Sequence, residues 1–134
     1  MRLVEVMTVD VLTTSADASI AAAARAMAER SVGSACVVDA QQSLEGIITE
    51  RDVLRAAGSG RDLSQERVAG WMTRDPVTVA PDELPSEVAR KLREGRFRHL
   101  PVCDEGRLVG VLSMRDLWAY SFLPAEPDDM TLRQ

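Results

Sequence analysis

Gly46-Ile47-Ile48-Thr49-Glu50-Arg51-Asp52 is one copy of a short phrase, and Gly110-Val111-Leu112-Ser113-Met114-Arg115-Asp116 is the other. Each copy begins with a glycine, continues through an apolar pair typical of the end of a strand, and reaches a hydroxyl residue followed by a carboxylate three positions later. An apolar helical stretch comes next. The phrase therefore predicts a strand that runs directly into a helix, twice in the chain.

Two interpretations fit the hydroxyl and the acid of each phrase. In a capping box, Thr49 or Ser113 accepts an N–H of the new helix and Asp52 or Asp116 reaches back, although glutamate is the usual acid because Asp is one methylene shorter. Alternatively, both side chains face a ligand at the helix start, where free N–H groups and the helix dipole favour phosphate. The presence of Asp in both copies favours the ligand interpretation.

The composition indicates a globular chain with an aliphatic interior. Of its 134 residues 46% are hydrophobic and 4% aromatic, which suits one compact domain or two small halves that share a core. The net charge of −5 and the pI near 4.9 disfavour non-specific attraction to a phosphate backbone. We therefore expect no nucleic acid partner.

Membrane and metal functions are also not expected. No apolar run approaches the ~20 residues that span a bilayer, and the N-terminus lacks the pattern of a signal peptide. We predict a cytoplasmic protein with no membrane association. Cys36 and Cys103 stand far apart, without a Cys-x-x-Cys pair and with His99 as the single histidine, so they are interpreted as buried structural thiols.

The chain repeats itself at an offset of 65 residues, which becomes 64 after a turn that is one residue longer in the first copy. The identical pairs include Met7 with Met72, Thr8 with Thr73, and Asp52 with Asp116. We predict a first repeat over 1–57, a linker over 58–66, a second repeat over 67–123, and a tail over 124–134 that has little to bury.

Each repeat has the same predicted order of elements. The first has a lead-in over 2–7, a strand over 12–14, a helix capped by Asp17, strands over 35–39 and 46–48, and a helix over 50–57. The second has a strand over 77–79, a helix over 84–94, a hairpin with strands over 99–103 and 108–112, and a helix over 114–121. Pro85 aligns with Ile20 and is compatible with a first helical turn.

These motifs together resemble a tandem pair of cystathionine-β-synthase-type domains, or CBS domains, over nearly the whole chain. The resemblance rests on Met7-Thr8, Met72-Thr73, Val77-Thr78-Val79, Arg98-His99-Leu100-Pro101-Val102, Leu108-Val109-Gly110-Val111 and the two Thr/Ser-x-Arg-Asp phrases. It implies an α+β fold of two β-α-β-β-α repeats, packed about a pseudo-two-fold axis through their small mixed sheets. It also implies two clefts for adenosine-containing molecules, and a homodimer.

The resemblance assigns ligand-binding roles residue by residue. Asp52 and Asp116 would hold the two ribose hydroxyls, as an ionised carboxylate can accept from both, and Thr49 and Ser113 would meet the first phosphate. Backbone along two further sets of residues would read the adenine edge. These sets are Thr13, Thr14, Ser34 and Ala35 in one site, and Thr78, Val79, His99 and Leu100 in the other.

Basic residues distinguish the two repeats. The second repeat carries Arg96, Arg98 and His99 where the first has no charge, and we predict phosphate contacts from Arg98 and His99. Arg51 and Arg115 are further candidates, for which surface pairing with nearby carboxylates is an equal alternative. Met7 and Met72 are assigned to core packing. Trp71 is expected at the junction between units, and Trp118 at a dimer contact.

The leading hypothesis is a stand-alone sensor that binds AMP, ADP or ATP as a regulatory ligand and signals to a separate, unidentified partner protein. No catalytic cofactor is expected, and no convergent nucleophile or metal cluster supports an enzyme. Two alternatives remain open. One is a structural or dimerisation module whose phrases are capping boxes, and the other is a sensor of S-adenosylmethionine or NAD.

Overall fold

The computed structural model describes residues 3–95, 98–114 and 116, so Arg96, Arg115, Trp118 and the predicted tail lie outside the described residues. The described part contains three helices, α1 (Ile20–Arg30), α2 (Glu50–Gly58) and α3 (Pro85–Gly95). Its strands are β1 (Thr13–Thr14), β2 (Ser34–Val38), β3 (Leu44–Thr49), β4 (Thr73–Arg74), β5 (His99–Asp104) and β6 (Arg107–Ser113). Single 3₁₀ turns occupy Leu3–Glu5 and Val68–Gly70. The predicted α+β class is confirmed.

The first sheet is mixed and has the strand order β1-β2-β3-β4. Strand β1 runs parallel to β2, with Thr13 opposite Cys36, whereas β2 and β3 are antiparallel and place Ser34 opposite Thr49. Strand β4 closes the sheet beside β3, with Thr73 opposite Ile47. The sheet therefore joins strands from the first repeat to a strand that comes after the predicted linker.

The second sheet repeats this pattern in reduced form. Strands β5 and β6 are antiparallel, with His99 opposite Ser113. Two isolated bridges flank them, a parallel bridge from Val79 to Val102 and an antiparallel bridge from Thr8 to Val111. The predicted hairpin is confirmed, because Asp104 pairs with Arg107 across a turn with Glu105 and Gly106 at positive φ.

The compact units exchange their lead-in segments. One unit comprises Val11–Pro76, and the other comprises Met1–Asp10 with Val77–Gln134. Residues 1–10 therefore belong with the body of the second repeat, and residues 67–76 belong with the body of the first. The predicted limits of 1–57 and 67–123 stay a prediction about the sequence repeats, since the compact units follow contacts in space.

The glycine that opens each phrase makes this exchange possible. A Cβ on Gly46 would lie 2.6 Å from the Thr73 carbonyl oxygen and 2.9 Å from the Met72 sulfur. On Gly110 the corresponding distances are 2.8 Å to the Met7 sulfur and 3.0 Å to the Thr8 carbonyl oxygen. The exchanged Met-Thr segment thus passes against backbone that has no side chain, which agrees with the packing role predicted for both methionines.

Each unit has its own core of aliphatic side chains. In Val11–Pro76 the core consists of Ile20, Ala23, Met27, Ala35, Val37, Ile48, Ala56 and Val68. In the other unit it consists of Leu3, Val79, Val88, Leu92, Leu100, Val102 and Leu112. The predicted stripe on α1 is buried at Ile20, Ala23 and Met27. Both cores receive a residue from the exchanged segment, Val68 in the first unit and Leu3 in the second.

The start of α1 differs from the prediction. Ser19, and not Asp17, is the N-cap, and its Oγ accepts from the Ala22 N–H at 3.0 Å. Asp17 lies before the helix because residues 16–18 hydrogen-bond to the exchanged segment. The Asp17 carbonyl, for example, accepts from the Arg67 guanidinium at 3.1 Å. Helix α3 begins with Pro85, as a first helical turn allows.

None of the helices in the described part of the chain is long and apolar enough to cross a bilayer. Among the same residues there is no group of three or more His, Cys, Asp or Glu side chains placed to hold a metal ion. Neither Cys36 nor Cys103 forms a disulfide. Cys36 is buried and Cys103 half-buried, and burial raises the pKa of the Cys103 thiol.

Candidate functional site

The first phrase forms a closed capping box at the junction of β3 and α2. Thr49 is the N-cap, and its Oγ1 accepts from the Asp52 N–H at 3.3 Å. The Asp52 Oδ2 accepts from the Thr49 N–H at 2.9 Å and from the Thr49 hydroxyl at 3.0 Å. Asp52 is 8% exposed. The carboxylate is therefore held in one orientation with one of its two oxygens committed to the cap.

The second phrase has the same geometry. Asp116 Oδ2 accepts from the Ser113 N–H at 2.9 Å, and Ser113 Oγ accepts from the Asp116 N–H at 3.1 Å. Asp is thus long enough for the capping box in both copies, and the inference that its presence disfavours capping is wrong. Because the N-cap residue is extended, at φ −119° and ψ 166° for Thr49, its own N–H comes within reach of the shorter acid.

The sheet register brings further predicted residues to these junctions. Ser34 at the start of β2 lies opposite Thr49, and His99 at the start of β5 lies opposite Ser113. The residues just before Ser34 and His99 also bond to the starts of the helical segments. The Glu50 N–H donates to the Gly33 carbonyl, and the Met114 N–H donates to the Arg98 carbonyl, both at 3.0 Å. Ser34 is buried and His99 half-buried. Each junction therefore combines a hydroxyl, an acid and the first residue of the neighbouring strand.

The residues predicted to read a base are less uniform. Thr13 and Thr14 form β1, in which Thr13 pairs with Cys36, two residues beyond Ser34. The side chains of Ala35, Val79 and Leu100 belong to the two cores. The Val79 N–H and carbonyl both bond to β5, at 3.0 and 2.9 Å. These three residues thus offer a ligand backbone atoms at most, and Val79 has no uncommitted N–H.

The predicted cationic contacts are solvent-exposed where the structure describes them. Arg51 is exposed in the first turn of α2, and Arg98 is exposed immediately before β5. Arg115 lies outside the described residues. Long, exposed arginine side chains at a helix start and a strand start can each reach an anion bound beside the junction of their own unit.

An ion pair beside Thr78 was not predicted from the sequence. Lys91, the one lysine of the chain, donates from α3 to Glu83 Oε1 at 2.8 Å and to the Thr78 carbonyl at 3.1 Å. Glu83 Oε1 also accepts from the Ala80 N–H at 3.2 Å, while its Oε2 is buried without a donor among the described residues. The equivalent residues of the first repeat are Ala18 and Ala26. Glu83 and Lys91 are eight residues apart, with Glu83 before the start of α3, and this spacing does not by itself predict an ion pair.

A second unpredicted group, which we call the Arg55–Trp71 ladder, consists of Asp52, Arg55, Trp71 and Glu66. Arg55 Nη1 lies 3.4 Å from Asp52 Oδ1. The Arg55 guanidinium carbon lies 5.8 Å from the centre of the Trp71 ring, and the Trp71 indole N–H donates to Glu66 Oε1 at 3.1 Å. The Asp-x-x-Arg spacing on a helix could have indicated the first contact.

Comparison with known families gives a match to most of the chain. A family model described as the CBS domain matches twice, over residues 3–59 and 67–117. The two matches fall on the two sequence repeats, and each includes one of the hydroxyl-and-acid phrases.

Two curated relatives illustrate the extent of the similarity. An uncharacterised protein of Methanocaldococcus jannaschii, MJ1225, is 35% identical over 126 residues, which are 89% of this chain and 45% of that protein. An uncharacterised 17.7 kDa protein of Acidianus ambivalens is 37% identical over 117 residues, 87% of this chain and 70% of the relative. The chain thus spans less than half of the first relative and about two thirds of the second.

Solved structures share the fold. An uncharacterised conserved protein from Pyrococcus horikoshii superposes with a TM-score of 0.83 at 29% identity, covering 93% of this chain and 95% of that one. The CBS domain pair of protein MJ0100, solved in complex with 5′-methylthioadenosine and S-adenosyl-L-methionine, gives 0.83 at 24% identity, covering 90% and 95%. At that identity the second comparison establishes the fold alone.

Proposed function

This chain belongs to the CBS domain family, and from that premise we propose that it is a regulatory module that binds adenosine-containing nucleotides, AMP, ADP or ATP. Binding takes place at the two strand-to-helix junctions, where Asp52 and Asp116 hold the ribose. The module is a homodimer, and its ligand state is passed to a separate partner protein.

The observation that carries this proposal is that the two oxygens of the Asp52 carboxylate have different hydrogen-bond partners. Oδ2 takes both hydrogen bonds from Thr49, whereas the contact to Oδ1 is a single long one of 3.4 Å from an exposed arginine. A carboxylate fixed at one oxygen, with the other left outside the cap, is a preorganised acceptor for a vicinal diol.

The groups around each junction suit the remainder of a nucleotide. The hydroxyls of Thr49 and Ser113 stand at helix starts, where the dipole favours the first phosphate. Arg51 and Arg98 are exposed beside them, with His99 opposite Ser113 and Arg115 as a further candidate from the sequence. Backbone near Thr13, Ser34 and Thr78 supports recognition of the base, with the aliphatic side chains of the sheet beneath the ring.

A second candidate function is a structural or dimerisation module without a ligand. The observation that favours it is that both phrases close complete capping boxes. The two functions are compatible at the level of geometry, because a residue can cap a helix through Oδ2 and bind through Oδ1. They differ in one measurable property, which is whether an adenosine compound stabilises the fold.

Thermal melting with AMP, ADP, ATP, S-adenosylmethionine and NAD tests the proposal. A ligand at a hundred times its dissociation constant should add about 2.7 kcal/mol per site, which corresponds to roughly 2–8 °C. The Asp52→Asn, Asp116→Asn double variant should lose the ligand-induced shift, whatever its own melting temperature. If no compound shifts the wild type at millimolar concentration, the structural function is correct. If S-adenosylmethionine or NAD alone raises the melting temperature, that compound is the ligand, and AMP, ADP and ATP are not.

A further inference from the structure

The ladder residue Arg55 contacts Asp52 Oδ1, the oxygen that takes no part in the cap. Its Nη1 lies 3.4 Å from Asp52 Oδ1, three residues earlier on the same helix. The Arg55 side chain is 62% exposed, whereas that of Asp52 is 11% exposed. The pair is therefore a weak, solvent-facing contact to a nearly buried acid, and such contacts break at little cost.

The other side of the Arg55 guanidinium faces Trp71. The 5.8 Å separation from the ring centre is within the range of a cation–π interaction. Because an arginine can stack on a ring while it donates from its edge, Arg55 touches both Asp52 and Trp71 in this arrangement. A shift of the guanidinium away from Asp52 changes its position over the ring.

Trp71 is itself fixed in place by residues that follow α2. Its indole N–H bonds to Glu66 Oε1 at 3.1 Å, and that oxygen also accepts from Arg61 at 3.4 Å. The ring packs against the core of the Val11–Pro76 unit. The ladder thus connects the acid of the first phrase to the segment that joins the two repeats.

The second phrase has no equivalent ladder in its sequence. Ala119 stands at the position of Arg55, and Val6 stands at the position of Trp71. An aliphatic pair can neither bridge to the acid nor report on it. The two junctions therefore differ in a way that their shared Asp does not reveal.

We propose that Arg55 is a positioning residue of the Asp52 site, which holds Oδ1 until a ribose diol replaces it and then moves on the Trp71 ring. The inference rests on the proposed function, because it requires a diol at Asp52. It adds that occupancy of this junction, and not of the Asp116 junction, is communicated to Trp71 and the inter-repeat segment. A ligand without the two hydroxyls leaves Arg55 where it is.

The test follows Trp71 emission in a Trp118→Phe background, where Trp71 is the single tryptophan. AMP is titrated in the complete chain by fluorescence and, in parallel, by calorimetry. In the Asp116→Asn variant, where the Asp52 junction is the one remaining proposed site, we expect AMP to change the emission with the same midpoint as the heat of binding. The change should be lost with Asp52→Asn and kept with Asp116→Asn. The analogue 2′,3′-dideoxy-AMP should produce no emission change at concentrations where calorimetry detects its binding.

Arg55 variants separate positioning from simple folding effects. With Arg55→Ala, calorimetry should still detect AMP, with an affinity within about fivefold of wild type because an exposed ion pair contributes little, but the emission change should be lost. Arg55→Lys should restore part of it. Arg74→Ala is the matched control, since this exposed arginine in the same unit bonds to the Ala69 carbonyl and not to the ladder. It should behave as wild type.

The outcomes distinguish this inference from the proposed function. Calorimetric binding of AMP without an emission change, or an emission change that survives Arg55→Ala, overturns the role of Arg55 and leaves the nucleotide site in place. An equal response to AMP and 2′,3′-dideoxy-AMP also overturns it. Absence of calorimetric binding of AMP, ADP and ATP alike overturns both.

Discussion

At the scale of single residues, Asp52 combines two kinds of interaction that usually belong to different side chains. Oδ2 stabilises the start of α2, and Oδ1 faces an exposed arginine. Because the cap already fixes the carboxylate, little conformational entropy would be lost when a ligand binds to it. Stability and ligand recognition are thus linked through one side chain, and Asp116 repeats its capping part.

Replacement of Gly46 even by alanine, which adds a single methyl group, should destabilise the fold. In a Gly46→Ala variant the new Cβ would lie 2.6 Å from the Thr73 carbonyl oxygen, which belongs to backbone and cannot rotate away. We expect the free energy of unfolding to fall by about 1–3 kcal/mol, the usual cost of overpacking. Urea unfolding followed by circular dichroism measures it.

The matched control is Gly58→Ala at the end of α2. No atom lies within 4 Å of a Cβ at this position, and alanine is the better helix former by about 0.5–1 kcal/mol. This variant should be as stable as wild type or more stable. Equal destabilisation of the two variants would show that the close approach at Gly46 is not what makes glycine necessary there.

The sequence predicted the contacts within each phrase better than the contacts of the phrase with the rest of the fold. Thr49 with Asp52 and Ser113 with Asp116 could be paired because three-residue spacing at a helix start leaves few geometries. Arg55 with Trp71 could not, since nothing local indicates that a residue 16 positions later returns to α2. The Glu83–Lys91 pair was missed for the same reason. Contacts between elements depend on the fold, and their residues carry no periodic signal.

At the scale of elements, α1 shows how tertiary contacts select a cap. Asp17 and Ser19 are both good N-cap residues by type. The segment 16–18 bonds to the exchanged segment instead, with its Ala16 and Ala18 carbonyls accepting from Ala69 and Val68 at 2.9 and 2.8 Å. The helix therefore begins later, at Ile20, and Ser19 takes the cap.

Substitution at the two candidate caps tests this assignment. Ser19→Ala removes the acceptor of the Ala22 N–H, so we expect a loss of about 0.5–2 kcal/mol in the free energy of unfolding. Asp17→Ala leaves the carbonyl that accepts from Arg67 intact and should change stability little. Chemical denaturation of the two variants side by side decides it, and the reverse ranking would restore Asp17 as the cap.

The elements themselves could largely be predicted from apolar periodicity. Strands β2, β3, β5 and β6 and the three described helices lie within a few residues of their predicted limits. The strands, α1 and α3 all bury apolar residues, and this burial is the source of the periodic signal. Strand β4 was not predicted. Its two residues, Thr73 and Arg74, are both exposed, and pairing with β3 is what makes them a strand. The predicted strand over 77–79 is reduced to a bridge at Val79.

At the scale of the whole molecule, the exchange of lead-in segments makes the sequence repeat and the compact unit different objects. Leu3 is 2% exposed in one core, and Val68 is 0% exposed in the other. The core of each compact unit thus includes a buried residue from the lead-in segment of the other sequence repeat. Sequence similarity identifies the repeat, but it cannot reveal which copy a segment packs on, because the two copies carry the same Met-Thr residues.

Fragments of the chain distinguish the two descriptions. A fragment of residues 11–76 keeps Val68, Met72 and strand β4 with the core they cover, whereas residues 1–57 lose all three. We expect cooperative thermal unfolding and dispersed amide signals from 11–76, and neither from 1–57. If 1–57 folds as well as 11–76, the exchanged segment is dispensable and the repeat is the folding unit.

The most direct test of the central claim is calorimetric titration of AMP into the wild type and into the Asp52→Asn, Asp116→Asn double variant. Asparagine keeps the size and an acceptor oxygen for the cap but removes the charge, and hydrogen bonds to charged groups contribute about 1.5–3 kcal/mol each against about 0.5–1.5 kcal/mol for neutral ones. We predict binding to the wild type and an affinity at least ~10-fold lower in the variant. Equal affinity in both proteins, or no heat of binding in either with AMP, ADP or ATP, would contradict the assignment of these two carboxylates as ribose-binding residues.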